Sequence, residues 1–144
     1  MRRLFQELLE ALERGEGAVL ATIIASSGST PRGAGSRMLV KEDGTFLGTV
    51  GGGAVEYQAQ CAAREALKNR QSCVKGFTLT RNQVADIGMV CGGNVVVYIQ
   101  YINPGDRDMQ KFLSLIHICW DGSSTVALAR PVQSCWTWPV PMQR

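Results

Sequence analysis

Histidine is almost missing from this chain: there is one in 144 residues, His117. With a single imidazole, a Ser-His-Asp or Cys-His nucleophile has little to be built from, and carboxylate pairs of the hydrolytic kind are not evident either. Among the five cysteines, at 61, 73, 91, 119 and 135, no Cys-x-x-Cys pair occurs. An odd count without short ligand spacing argues against a disulfide framework or a structural zinc site. Reduced thiols and a cytoplasmic setting are the expectation. No stretch approaches the ~20 apolar residues of a bilayer span, and Met1-Arg2-Arg3 leads into no apolar run of signal type. The net charge of +3 comes from scattered basic residues, so neither nucleic acid nor an anionic membrane is indicated as a partner.

What remains is a glycine-rich globular chain: 45% hydrophobic, 19% charged, with 16 glycines. That mix suits one domain with its own core. Leu4, Phe5, Leu8, Leu9 and Leu12 make one helical stripe over residues 2–14, with Glu7, Glu10, Glu13 and Arg14 facing water and Gly15 and Gly17 ending the helix. Ala18–Ala25 reads as a central strand covered on both faces. Residues 37–40 and 45–50 read as strands joined through Asp43-Gly44, residues 54–69 as a helix, and 73–80 and 94–102 as further strands, the last again buried. The expected fold is therefore α/β (α+β), a mixed sheet of about five strands with helices packed on it and no complete Rossmann domain.

Eight of the 16 glycines fall between Gly28 and Gly53. Gly51-Gly52-Gly53 sits between a strand and a helix, where free amides and the positive end of the helix dipole suit a phosphate or carboxylate. Neither a P-loop nor a dinucleotide fingerprint is complete here, and a purely structural glycine turn remains an alternative. Arg32 and Arg37 flank Gly33 and Gly35, and two guanidinium forks suit an oxyanion; two solvated surface arginines are the plainer reading. With Gly53 as N-cap, Glu56 occupies the third helical position, where it complements the dipole or faces a ligand amine. Asp86 and Cys91 belong to a third loop, in which Cys91 is a soft ligand, a reactive thiolate or a small buried apolar group. Gly-rich turns after strands, with Arg, Glu, Asp and Cys but no complete catalytic apparatus, fit the holding of an anionic cofactor better than a chemical transformation.

The succession Gly17–Thr22, Gly28-Ser29-Thr30-Pro31-Arg32, Gly35–Val40, Gly48–Glu56 and Met89-Val90-Cys91-Gly92-Gly93 resembles the N-terminal domain of the XdhC/CoxI family, maturation factors for xanthine dehydrogenase and related molybdenum hydroxylases. The resemblance implies a chaperone, not an enzyme, that binds molybdenum cofactor (molybdopterin) transiently, favours its sulfurated form and hands it to an apo molybdenum hydroxylase. It also implies contact with a cysteine desulfurase and a possible homodimer. Carried over, the candidate cofactor-binding residues are Arg32, Arg37, Gly51, Gly52, Gly53, Glu56, Asp86, Cys91, Gly92 and Gly93. Many relatives carry Cys where this chain has Ala54, which removes a metal-ligand role at that position. An enzyme acting on a small phosphorylated or nucleotide substrate, or a structural interaction domain, are the competing readings.

The last thirty residues change character, with all three tryptophans and three of the five prolines. Leu113-Ser114-Leu115-Ile116-His117-Ile118 is what CTG-TCT-CTT-ATA-CAC-ATC encodes, a transposon-end adapter of sequencing libraries read in one frame. The expectation is a family domain over 1–112 and a non-homologous tail over 113–144, an assembly scar in a truncated gene, with an ordinary apolar helix end at 113–118 and a stand-alone module as the alternatives. Full-length relatives continue instead into a Rossmann-like domain.

Overall fold

The computed structural model describes residues 1–78 and 93–121, the side chains of 117–121 excepted. In chain order the elements are α1 (Arg2–Glu13), β1 (Ala18–Gly28), β2 (Arg37–Lys41), β3 (Phe46–Gly48), α2 (Gly53–Asn69), β4 (Cys73–Thr78), β5 (Gly93–Ile102) and α3 (Arg107–Asp121). The strands form one open five-stranded sheet in the order β3-β2-β1-β5-β4. This is the expected α/β class, but the strands alternate in direction throughout instead of mixing parallel and antiparallel pairs. The β1–β2 and β2–β3 connections are too short for a crossover. The one helical crossover, α2, carries the chain from one edge strand to the other and so places no parallel neighbours side by side.

Side-chain alternation divides the core between the two faces of the sheet. Val19, Ala21 and Ile23 of β1 meet Val55, Ala59, Ala63 and Ala66 of α2. Spaced by three or four positions, these small residues give α2 a flat stripe that lies close on the sheet. On the opposite face Ala18 and Leu20 meet Leu4, Leu8 and Leu12 of α1 and Leu113 of α3. Residues 18–21 are thus covered on both sides, as their unbroken apolar run requires.

Farther along, the pattern loosens. The β1–β5 register shifts between Ile23 and Ala25, leaving Ile24 52% exposed. Such a bulge adds one unpaired residue and turns the strand. β1 then runs on to Gly28, beyond the expected end at 25, with Ala25–Gly28 exposed. β5 was expected to be buried throughout. In fact Val95, Val97 and Ile99 are buried, while Asn94 is exposed and Tyr98 and Gln100 are half-buried. The reason is reach: α1 and α3 cover the end of the sheet near Leu20 and Ile102, not the end near Asn94.

Local signals set the helix ends. After α1, Gly15 at φ +78 lets its N–H reach Leu12 O (3.0 Å) while the Glu16 N–H reaches Ala11 O (2.9 Å), a Schellman closure. α2 closes in the same way, with Gln71 N–H on Ala66 O at 3.1 Å, but the left-handed residue there is Arg70 at φ 54. Glu7, expected to face water, instead pairs with Lys41 Nζ at 3.1 Å, tying α1 to the end of β2. α3 runs through the hexapeptide of suspected adapter origin, and Leu113 is 2% exposed against α1.

Strand alternation has one result that bears on function. β1, β3 and β4 end, and β2 and β5 begin, at the same end of the sheet. The β1–β2 loop, the β3–α2 turn and both anchor points of the β4–β5 connection, Thr78 and Gly93, therefore share that end.

Candidate functional site

At this end of the sheet, Arg32 from the β1–β2 loop and Arg37 from the first position of β2 line one cavity of about 510 Å³. Arg3, from the first turn of α1, opens onto the same space, as do Ser36 and Thr49. Arg37 is held in place: its guanidinium lies 5.7 Å from the centroid of the Phe5 ring, and Nη1 donates to Met1 Sδ at 3.5 Å. Arg3 and Arg32 are exposed. Among the described residues none of the three has a carboxylate within salt-bridge distance. Three uncompensated guanidinium groups around one concavity suit an oxyanion.

The cavity wall depends on a glycine. Gly48 adopts φ +85, and a Cβ there would stand 2.5 Å from the Arg37 carbonyl oxygen. Only a residue without a side chain lets the chain leave β3 so close to the backbone of β2. The Thr49 N–H, one residue on, donates to that same carbonyl at 3.1 Å.

The glycine triplet behaves differently from the expectation. Gly52, not Gly53, is the N-cap of α2. The Gly51 N–H donates to Thr49 Oγ1 at 3.1 Å, the Gly52 N–H donates to Glu56 Oε2 at 3.1 Å, and the Thr49 hydroxyl donates to the same carboxylate oxygen. The carboxylate of Glu56 thus occupies the place at the helix N-terminus that an anionic guest would take. Of the two readings of Glu56, the capping one describes what its Oε2 does. Gly51 and Gly52 are not free anion donors, because Thr49 and Glu56 respectively already accept from their N–H groups. The turn still lies beside the arginine loop: a Cβ on Gly51 would come within 3.7–4.0 Å of Pro31 and Arg32 side-chain atoms.

Gly93 opens β5 beneath the β1–β2 loop. A Cβ there would meet Ser27 O and Thr30 Cγ2 at 2.7 Å and Ser29 O at 2.8 Å. Its role in the structure is close packing of two backbones. Asp86, Cys91 and Gly92 lie outside the described residues. Among the described residues no group of three or more His, Cys, Asp or Glu is placed to hold a metal ion, and no helix is long and apolar enough to cross a membrane.

Residues 11–78 match the model of the XdhC and CoxI family. Over that stretch, just under half of its length, the chain carries that family's pattern. The family match spans Arg32, Arg37, Gly51–Gly53 and Glu56, and stops short of Gly93. Two Escherichia coli (strain K12) proteins are similar: the uncharacterized protein YqeB, 35% identical over 96 residues, and the molybdenum cofactor insertion chaperone PaoD, 30% identical over 116 residues. These alignments take in 67% and 81% of this chain but 18% and 35% of the relatives, so the chain spans about a third of their length or less. A crystal structure titled as a xanthine dehydrogenase from Bacillus halodurans superposes with a TM-score of 0.60 at 27% identity, over 81% of this chain and 35% of that one.

Sequence reasoning missed Arg3 and Thr49, which line the same cavity. Arg3 was visible only as a charge ahead of an amphipathic helix, and nothing local reveals that α1 carries it to the Arg32–Arg37 cavity. Thr49 had a local signal, a hydroxyl two residues before the glycine it holds, the spacing of a side-chain-to-backbone turn.

Proposed function

We propose that this chain is the cofactor-handling domain of a molybdenum hydroxylase maturation factor, a chaperone rather than a catalyst, whose cargo is molybdenum cofactor. One observation carries the reading: Arg32 and Arg37, from two different elements, open onto one cavity with no carboxylate to neutralise them among the described residues. The similarity to PaoD, named as a molybdenum cofactor insertion chaperone, supports it.

The donor set suits the cargo. Guanidinium forks receive a phosphate in bidentate fashion, and the Ser36 and Thr49 hydroxyls line the same space. Glu56 acts by keeping the start of α2 closed, which fixes the Gly51–Gly53 turn beside Arg32. Gly93 keeps the Ser27–Thr30 segment seated on β5. Asp86, Cys91 and Gly92, outside the described residues, belong to the proposed set on the sequence alone, and Cys91 would offer a thiol to the metal or its terminal sulfur. Preference for sulfurated cofactor, contact with a cysteine desulfurase, self-association and delivery to an apo-hydroxylase belong to the same reading. So does the domain plan, a family domain over 1–112 followed by a non-homologous tail, which source DNA with other codons at 113–118 would overturn.

The test is retention of cargo. The full chain, purified from cells that make molybdenum cofactor, carries molybdenum and pterin together. The double variant Arg32→Ala/Arg37→Ala, folded by circular dichroism, retains about tenfold less of both, as expected for loss of roughly 1.4 kcal/mol or more of charge-assisted binding. Equal retention by the variant refutes the assignment.

A further inference from the structure

Arg3 is the third cation of the cavity, and its position bears on what the site accepts. The first turn of α1 is closed, with the Leu4 N–H on Met1 O at 3.1 Å, and Leu4 is 5% exposed in the core. The backbone that carries Arg3 is therefore anchored, although the side chain is exposed. Across the cavity, Arg37 is pinned by Phe5 and Met1. Three arginine side chains thus line one space, with no ion-pair partner for any of them among the described residues. Glu56 makes no ion pair with them; its Oε2 accepts from Thr49 and Gly52 instead. Such a cluster is repulsive when empty and is relieved in proportion to the charge of its guest.

The rest of the lining adds shape. Leu4, Leu47 and Met1 present apolar surface beside the arginines. A volume of about 510 Å³ is in the range of sites that take an organic ligand, larger than a bare ion needs.

We infer that Arg3 joins Arg32 and Arg37 in one anion site, and that Arg3 sets a preference there for a doubly charged over a singly charged oxyanion. This rests on the cofactor-handling reading for its biological cargo, but its chemistry is independent of it. Arg3 is a binding residue supplied by an element that, as a sequence, shows only an amphipathic helix.

Phenyl phosphate and phenyl sulfate share a ring and differ by one charge near neutral pH, so titration calorimetry of the full chain with each isolates the charge term. The expected result is about tenfold tighter binding of phenyl phosphate. Arg3→Gln weakens phenyl phosphate about tenfold and brings the two ligands within about threefold of each other. Arg3→Lys, which keeps the charge and loses the fork, falls between. Arg64→Gln, on α2 away from the cavity, leaves both affinities unchanged. Equal binding of the two ligands by the unaltered chain, or an Arg3→Gln variant within twofold of it for phenyl phosphate, overturns the inference. The outcomes are separable from those of the retention test. Phenyl phosphate bound through Arg3 by a chain that retains no molybdenum or pterin removes only the biological cargo. Retained cargo together with a silent Arg3→Gln removes only the role of Arg3.

Discussion

Removing the carboxylate of Glu56 separates a residue kept for its helix from one kept for a ligand. Its Oε2 accepts from the Gly52 N–H at 3.1 Å and from the Thr49 hydroxyl, which in turn accepts from the Gly51 N–H at 3.1 Å. Hydrogen bonds to a charged group contribute ~1.5–3 kcal/mol each when well sheltered, and a half-exposed site takes the lower end. Glu56→Ala therefore destabilises the domain by about 2–3 kcal/mol, a melting temperature lower by roughly 10 °C at ~4 °C per kcal/mol for a domain of this size. Glu56→Gln keeps an acceptor but loses the charge at the helix dipole, and costs about half as much. Paired with Thr49→Val in a double-mutant cycle, Glu56→Ala shows a coupling of about 1 kcal/mol, because both act on one network. Urea unfolding of the five proteins measures the free energies, and thermal unfolding the shift in melting temperature. A Glu56→Ala variant within ~0.5 kcal/mol of the parent, the range of an ordinary surface change, refutes the capping assignment.

Gly48→Ala combines a positive φ of +85 with a Cβ 2.5 Å from the Arg37 carbonyl; urea unfolding shows a loss of about 2–3 kcal/mol, and a loss below ~0.5 kcal/mol contradicts the geometry. Arg70→Gly relieves a left-handed non-glycine residue at φ 54 and raises stability by about 0.5–1 kcal/mol after the gain in unfolded-chain entropy is subtracted; no increase argues that Arg70 is not strained. The Thr45 hydroxyl and N–H, bonded to the Asp43 carboxylate at 2.6 and 2.8 Å, hold that carboxyl below the usual carboxylate range. A lowered folded-state value means that the stabilisation is complete above the ordinary value and fades as pH falls through the lowered one. Thr45→Val moves the Asp43 midpoint, followed by NMR, upward; a midpoint that stays put excludes the hydroxyl as its cause.

What could be seen from the residues was local. The leucine stripe of α1, the first half of the apolar run 18–25 and the Asp43-Gly44 turn each contain their own cause, and each stands where periodicity and turn chemistry put it; the end of that run, Ile24 and Ala25, is exposed instead. The bulge at Ile24 has no local sign, because it depends on the register with β5. One-sided burial of β5 depends on how far α1 and α3 reach, which no window within 93–102 contains. The capping role of Glu56 was legible in its spacing from the glycines, off by one residue at the cap. The placing of Arg32 and Arg37 together was an expectation from the glycines between them, whereas Arg3 reaches the same cavity across thirty residues of chain, and only the docking of α1 on the sheet shows it.

At the other pole of the molecule the described residues make tight reversals: Arg14–Gly17 before β1, Glu42–Thr45 between β2 and β3, Arg70–Ser72 before β4, and Asn103–Asp106 before α3. A fluorophore, spin label or tether grafted there sits a full strand length from the arginines. Glu42-Asp43-Gly44 could thus anchor the protein to a sensor chip with its receptive end facing the flow, and a dye at the same place would report tumbling without touching a guest.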